Sequence, residues 1–128
     1  MNRTKAGADW ERVAEIYLRG RGLNIVRRNY RTRRGEVDLI AQHRQDLVFV
    51  EVRARSNPHY VSAIESVDRR KQARLASTAA TFLAKHYRGT CQPAARFDVI
   101  TIAESEEPSG FRLSWLRNAF DATDLPIS

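Results

Sequence analysis

Cysteine, histidine and long apolar runs are all scarce in this chain, and each scarcity removes a class of protein. Cys91 is the only cysteine among 128 residues, so no internal disulfide can form, and a lone thiol in an expected loop reads as incidental rather than nucleophilic. The three histidines, His43, His59 and His86, fall in expected turns and at a helix end without the spacing of zinc ligands. No stretch approaches the ~20 apolar residues of a membrane span, and the N-terminal region has no signal-peptide hydrophobic run. These absences point to a cytoplasmic protein with no membrane partner. What is present, 42% hydrophobic and 29% charged residues, is ordinary for a globular domain. A chain of this length folds as one domain that hides roughly two thirds of its unfolded surface. The expected domain is 1–128, with a core over about 7–116 and loose tails at 1–5 and 118–128.

Acidic residues are also in deficit, but only locally. Residues 1–35 hold ten Lys and Arg against three Asp and Glu, whereas residues 36–128 hold twelve of each. The whole net charge of +7 therefore sits in the first quarter of the chain. A localised basic excess is the electrostatic footprint of a phosphate-backbone binder, and it is equally the composition of a solvated basic surface or an acidic-lipid contact. Within it, residues 27–34 read RRNYRTRR, five arginines in eight residues around a tyrosine. Arg27, Arg28, Arg31, Arg33 and Arg34 suit phosphate contacts, and Tyr30 suits stacking on an unpaired base. The alternative is an edge strand blunted by charge.

The cluster leads into residues 35–55, GEVDLIAQHRQDLVFVEVRAR. Two β-rich segments, 37–41 and 47–53, flank a polar turn and form a hairpin. Strand alternation puts Glu51 and Arg53 on one face, with Val48, Val50 and Val52 on the other. Asp38 on the neighbouring strand reaches the same region if the register allows. Carboxylates in apolar strands need a partner, because a desolvated charge is costly unless paired or bound to a cation. A metal site meets that need, and so does a structural Glu51–Arg53 pair or an Asp38–arginine pair at a strand end.

Around the hairpin the pattern is regular. A helix begins near Ala6, with Trp10, Val13, Ala14, Tyr17 and Leu18 as its apolar stripe, and ends at Gly20 to Gly22. Glu11 borders that stripe and can point along the sheet toward a site, or can serve the helix dipole as a first-turn acid, while Glu15 lies further round. Strand residues 23–26 run into the arginine cluster. Residues 56–60 form a proline-containing loop. A long helix follows, with Ser66 as N-cap, no Gly or Pro over 67–87, and Leu75, Ala76, Ala79, Phe82 and Leu83 as its apolar face. Its first turns carry Arg69, Arg70, Lys71 and Arg74, a basic face that is either solvated or an extension of the phosphate footprint. Strands at 96–102 and 111–116, separated by an acidic turn, complete the order α-β-β-β-α-β-β. The second helix is a crossover that permits parallel pairing, so the fold class is an α/β sandwich with a mixed sheet.

Taken together, GADWERVAEIYL, RRNYRTR, GEVDLI, LVFVEVRARS, VDRRKQARL and RFDVI resemble the YraN-like family of small bacterial proteins over about residues 7–102. The resemblance implies a restriction-endonuclease-like fold of the PD-(D/E)xK group, similar in its core to archaeal Holliday junction resolvases. It also implies a metal-dependent endonuclease that binds nucleic acid, DNA above RNA, with branched DNA as a candidate substrate. By position it makes Asp38 and Glu51 the ligands of Mg²⁺ or Mn²⁺, with the backbone carbonyl of Val52 as a further ligand and Glu11 as a third acid acting directly or through water. A hard divalent ion takes such oxygen ligands, activates water and neutralises phosphoryl charge. Arg53 stands where the family pattern has lysine. Arginine stays protonated, so it can position water and stabilise anionic charge but cannot serve as the base. Glu36 and Lys71 are candidate substitutes or supporting groups. The competing expectations are a nucleic-acid-binding module without chemistry and a small adaptor that binds a partner protein; a homodimer is compatible with these residues, which do not define one.

Overall fold

The computed structural model describes residues 9–55 and 67–121. Asp9 starts the first helix, α1 (Trp10–Gly20), its side chain accepting from the Glu11 and Arg12 amides at 3.1 and 3.3 Å, as an N-cap acid does for orphan donors. Strands β1 (Asn24–Thr32), β2 (Gly35–His43) and β3 (Asp46–Arg55) follow as an antiparallel meander. Helix α2 (Arg69–His86) crosses over to β4 (Ala95–Glu104), which pairs parallel to β3, and β5 (Phe111–Phe120) returns antiparallel along the far edge. The sheet order β1-β2-β3-β4-β5 is the expected mixed α/β sandwich, consistent with a restriction-endonuclease-like fold. Among the described residues no helix is long and apolar enough to cross a membrane.

The two helices cover opposite faces. Trp10, Ala14 and Leu18 of α1 pack on Val48, Val50, Val52, Ile100 and Ile102. Leu75, Ala76, Ala79 and Phe82 of α2 pack on Leu47, Phe49, Phe97 and Val99. The alternation of β3 therefore holds as read, and it turns Glu51 and Arg53 toward α2.

Two boundaries differ from the sequence reading. Helix α2 is capped by Asp68, whose carboxylate accepts from the Lys71 amide at 2.8 Å; an acid there also complements the helix dipole. The Ser66 cap, the 56–60 loop, the N-terminal tail at 1–5, the first turn from Ala6 and the tail beyond 121 lie outside the described residues. The last strand runs past Leu116 to Phe120. Buried Asp98 accepts from Trp115 Nε1 and the Asn118 amide, both at 2.9 Å, and Phe120 stacks on Phe97 with centroids 4.7 Å apart. An acid in β4 thus pins residues that composition alone assigns to a tail.

At one level of the sheet β1 and β2 both break alternation. Arg28 pairs with Leu39 and Tyr30 with Val37, yet Leu39 belongs to the α1 core while Tyr30 and Val37 belong to the α2 core. Between them Asn29 adopts φ 51°, a left-handed conformation that asparagine tolerates and β-branched residues resist. Opposite Asn29 lies Asp38. This switch of faces turns Arg28 toward α1 and Tyr30 into the α2 core, and it frees Asp38 from a regular position in the strand. Asn29→Gly is expected to leave stability almost unchanged, whereas Asn29→Val costs roughly 1–2 kcal/mol. Urea unfolding of the two variants checks this; equal stability would remove the backbone switch as a requirement.

Candidate active site

The β2–β3 register runs from His43↔Asp46 to Leu39↔Val50 and, among the described residues, goes no further. Where backbone pairing stops, a side chain replaces it: Asp38 Oδ2 accepts from the Val52 amide at 2.8 Å. A strand residue directs its N–H and C=O to the same edge, so the Val52 carbonyl lies on the Asp38 side of β3. Beside it is Glu51, near enough for the charge of Asp38 to act on its carboxyl. Both acids are buried, at 9% and 4% exposure. Two buried carboxyls this close cannot both ionise cheaply out of water.

Burial pushes the Glu51 carboxyl up to about 8, with the Asp38 charge as the second cause. Burial likewise raises Asp38, opposed by its hydrogen bond from Val52. Two cations moderate this. Arg53 Nη1 lies 3.5 Å and Lys71 Nζ 3.4 Å from the same Glu51 oxygen, Oε2. Arg53 arrives from the acid's own strand and Lys71 from the first turn of α2. From the other face, Glu11 at the start of α1 is raised to about 7 by burial and then by the charges of Asp38 and Asp9. Lys71 of α2 thus reaches the pair directly, and Glu11 of α1 interacts with Asp38 through charge.

These donors suit a hard divalent cation. Two carboxyls, a strand carbonyl and a nearby third acid are all oxygen, and Mg²⁺ or Mn²⁺ uses one or two carboxylates with waters completing an octahedron. The fit is of that sparse kind: among the described residues no three His, Cys, Asp or Glu side chains are gathered into a group that could hold a metal. Glu11 is accordingly coupled to the pair through charge, and it does not join a three-acid cluster.

The arginine cluster does not act as one surface. Arg28 Nε and Nη2 grip Glu15 at 2.7 and 2.6 Å, and this pair buries an acid that the helical wheel places further round from the apolar stripe than Glu11. Glu15 is buried because Arg28 compensates it, which also lowers its pKa. The i, i+4 spacing of Glu11 and Glu15 beside the apolar stripe was the available signal. Tyr30 is a correction: at 7% exposure it meets Phe82 edge-on in the core, so its ring is not a platform for a base. Arg27 leans over Tyr30 and reaches His86 at 3.4 Å. Arg31, Arg33 and Arg34 instead surround the β1–β2 turn, where Lys71 and Arg74 face them. Arg69 and Arg70 are exposed at the start of α2.

The chain belongs to the UPF0102 family, described as an uncharacterised protein family, whose model matches residues 10–102. A UPF0102 protein of Halorhodospira halophila is 46% identical over 115 residues, covering 89% of this chain and 85% of its own. Those of Pseudomonas aeruginosa and Alcanivorax borkumensis are 42% and 41% identical, covering 91% and 93% of this chain and 92% and 94% of theirs. The matched span contains Glu11, Asp38, Glu51, Arg53 and Lys71.

The raising of Asp38 and Glu51 has a thermodynamic consequence. Their ordinary pKa is about 4, and folding raises both. Between about 4 and about 8 the native state holds protons that the unfolded chain has released, so stability falls as pH rises through that window. Chelator-treated protein is expected to melt lower at pH 8 than at pH 5, by on the order of 5 °C, and Glu51→Gln to flatten the trend. An unaltered slope in Glu51→Gln would place its cause elsewhere.

Proposed function

We propose that this protein is a metal-dependent phosphodiester hydrolase acting on nucleic acid, DNA above RNA, with Mg²⁺ or Mn²⁺ held by Asp38, Glu51 and the Val52 carbonyl. The observation that carries the reading is the buried Asp38–Glu51 pair at a break in the sheet, flanked by two cations on one carboxylate oxygen. A purely structural role explains it poorly. Two buried carboxyls that cannot both ionise cost the fold stability as pH rises, and replacing them by apolar residues is the cheaper structural solution. A bound divalent ion supplies charge neutralisation at the phosphoryl group and activation of water.

The chain's own groups divide the remaining work. Arg53, half-exposed beside Glu51, stabilises negative charge that grows on the phosphoryl oxygens, a role suited to a permanent cation. Lys71 brings to the same acid the ammonium that the strand lacks at position 53. Glu11 adds negative potential from α1 and favours cation entry. Branched DNA is the finer substrate proposal; it rests on the family resemblance alone. The second reading, a nucleic-acid-binding module without chemistry, is favoured by one feature: Glu51 already has two cationic partners, which compete with a metal.

Cleavage of single-stranded, fork and four-way-junction DNA with Mn²⁺ separates the two. Wild type is expected to cleave at least one substrate, with Asp38→Asn and Glu51→Gln each slower by a factor of 100 or more, roughly the effect of losing about 3 kcal/mol of transition-state stabilisation. Arg53→Ala should be slower, and Arg53→Lys should equal or exceed wild type. Wild type, Arg53→Lys and Glu51→Gln all inert yet all binding DNA would replace the hydrolase with the binding module.

A further inference from the structure

Between the β1–β2 turn and the first turns of α2 opens a cleft of about 510 Å³ lined by Arg31, Arg33, Arg34, Glu36, Lys71 and Arg74. Five of these six are cationic, and the single acid is held by Arg31 at 3.2 Å. Lys71 belongs to two places at once: it lines the cleft and reaches Glu51 at 3.4 Å. The cleft and the carboxylate pair therefore share a wall.

The cleft is built rather than incidental. A Cβ on Gly35 would stand 3.2 Å from both Arg74 Cβ and Thr78 Oγ1, tighter than ordinary contact, so the turn approaches α2 as closely as a glycine allows without α2 giving way by a few tenths of an ångström. Arg34 Nη1 ties the turn to Ser77 Oγ at 3.3 Å. Holding the turn against α2 fixes the cations before a ligand arrives, which reduces the ordering cost of binding. Meanwhile the rest of the cluster is directed elsewhere, Arg28 to Glu15 and Arg27 toward His86.

We propose that this cleft is a subsite for a backbone phosphate of a nucleic-acid strand, next along the strand to the phosphate that meets Asp38 and Glu51. The proposal rests on the hydrolase reading for its second half, since the neighbouring phosphate has meaning only if the carboxylate pair takes the first. Arg33 and Arg74 are the principal contacts, both exposed and able to present planar donors to phosphate oxygens. A strand engages the cleft and the carboxylate pair together, whereas a free phosphate fills only one of them. Covalent connection makes the second contact intramolecular.

The test is fluorescence anisotropy with a labelled single-stranded oligonucleotide, with Ca²⁺ in place of Mn²⁺, between about 50 and 200 mM salt. Arg33→Gln combined with Arg74→Gln is expected to weaken binding roughly tenfold and to flatten the slope of log K against log salt by roughly 1 to 2. Arg112→Gln should change affinity less than about twofold, as an exposed cation on β5 paired with Glu107 and outside the cleft, and unchanged melting temperatures identify the effect as local. An unchanged slope in the double variant, with the oligonucleotide still bound, overturns the cleft and leaves the hydrolase reading standing. No binding of any oligonucleotide by wild type overturns both. Calorimetry with inorganic phosphate that matches the oligonucleotide's affinity, and loses it in the double variant, overturns the strand in favour of a small-anion site.

Discussion

The hydrogen bond from the Val52 amide to Asp38 is the contact on which the rest of the site depends. It marks the level at which β2 stops pairing with β3 through its backbone and a carboxylate takes over as acceptor. Without it the Val52 amide would be a buried donor with no acceptor from β2, a loss of roughly 1–3 kcal/mol. With it, the two strands can separate, and the opening holds acids from β2 and β3, with Glu11 of α1 acting on Asp38 through charge. The left-handed Asn29 on β1 makes the same opening possible from the other side. It reverses the faces of β1 at the level where Asp38 leaves the regular alternation of β2.

Charge in this protein is arranged by pairing, and the net total of +7 conceals the arrangement. One arginine of the 27–34 cluster, Arg28, is consumed in holding Glu15 against the sheet. Others converge from the β1–β2 turn on a cleft that Lys71 connects to the acids. The cationic turn and the carboxylate pair are thus adjacent through one side chain of α2, a residue distant from both in sequence. Phosphodiester chemistry calls for this proximity, because the groups that hold a polyanion and those that hold its counter-cation must act on one strand.

Much of this architecture was legible from period and polarity. The alternation of β3 predicted that Glu51 and Arg53 share a face, and the apolar stripe of α1 predicted which of its residues meet the sheet. The charged residues within apolar strands lie where β2 stops pairing with β3, an irregularity that the sequence alone does not announce. What periodicity could not reveal was the reversal at Asn29, because a single left-handed residue leaves the composition of β1 unchanged. That reversal decides the fates of Arg28 and Tyr30, which strand alternation alone would have placed together. The burial of Glu15 escapes a sequence reading for a related reason: it depends on a partner in another element. Lys71 was named among candidate supporting groups, but its contact with Glu51 follows from the α2 crossover and parallel pairing, which local sequence does not encode.

The central claim is that Asp38 and Glu51 are held together, against their mutual repulsion, to receive a divalent cation. Calorimetric titration of the chelator-treated protein with Mn²⁺ tests it most directly, using wild type, Asp38→Asn and Glu51→Gln. The account predicts saturable one-to-one binding in wild type that each substitution abolishes. Equal binding in all three proteins, or no saturable binding in wild type, would contradict it.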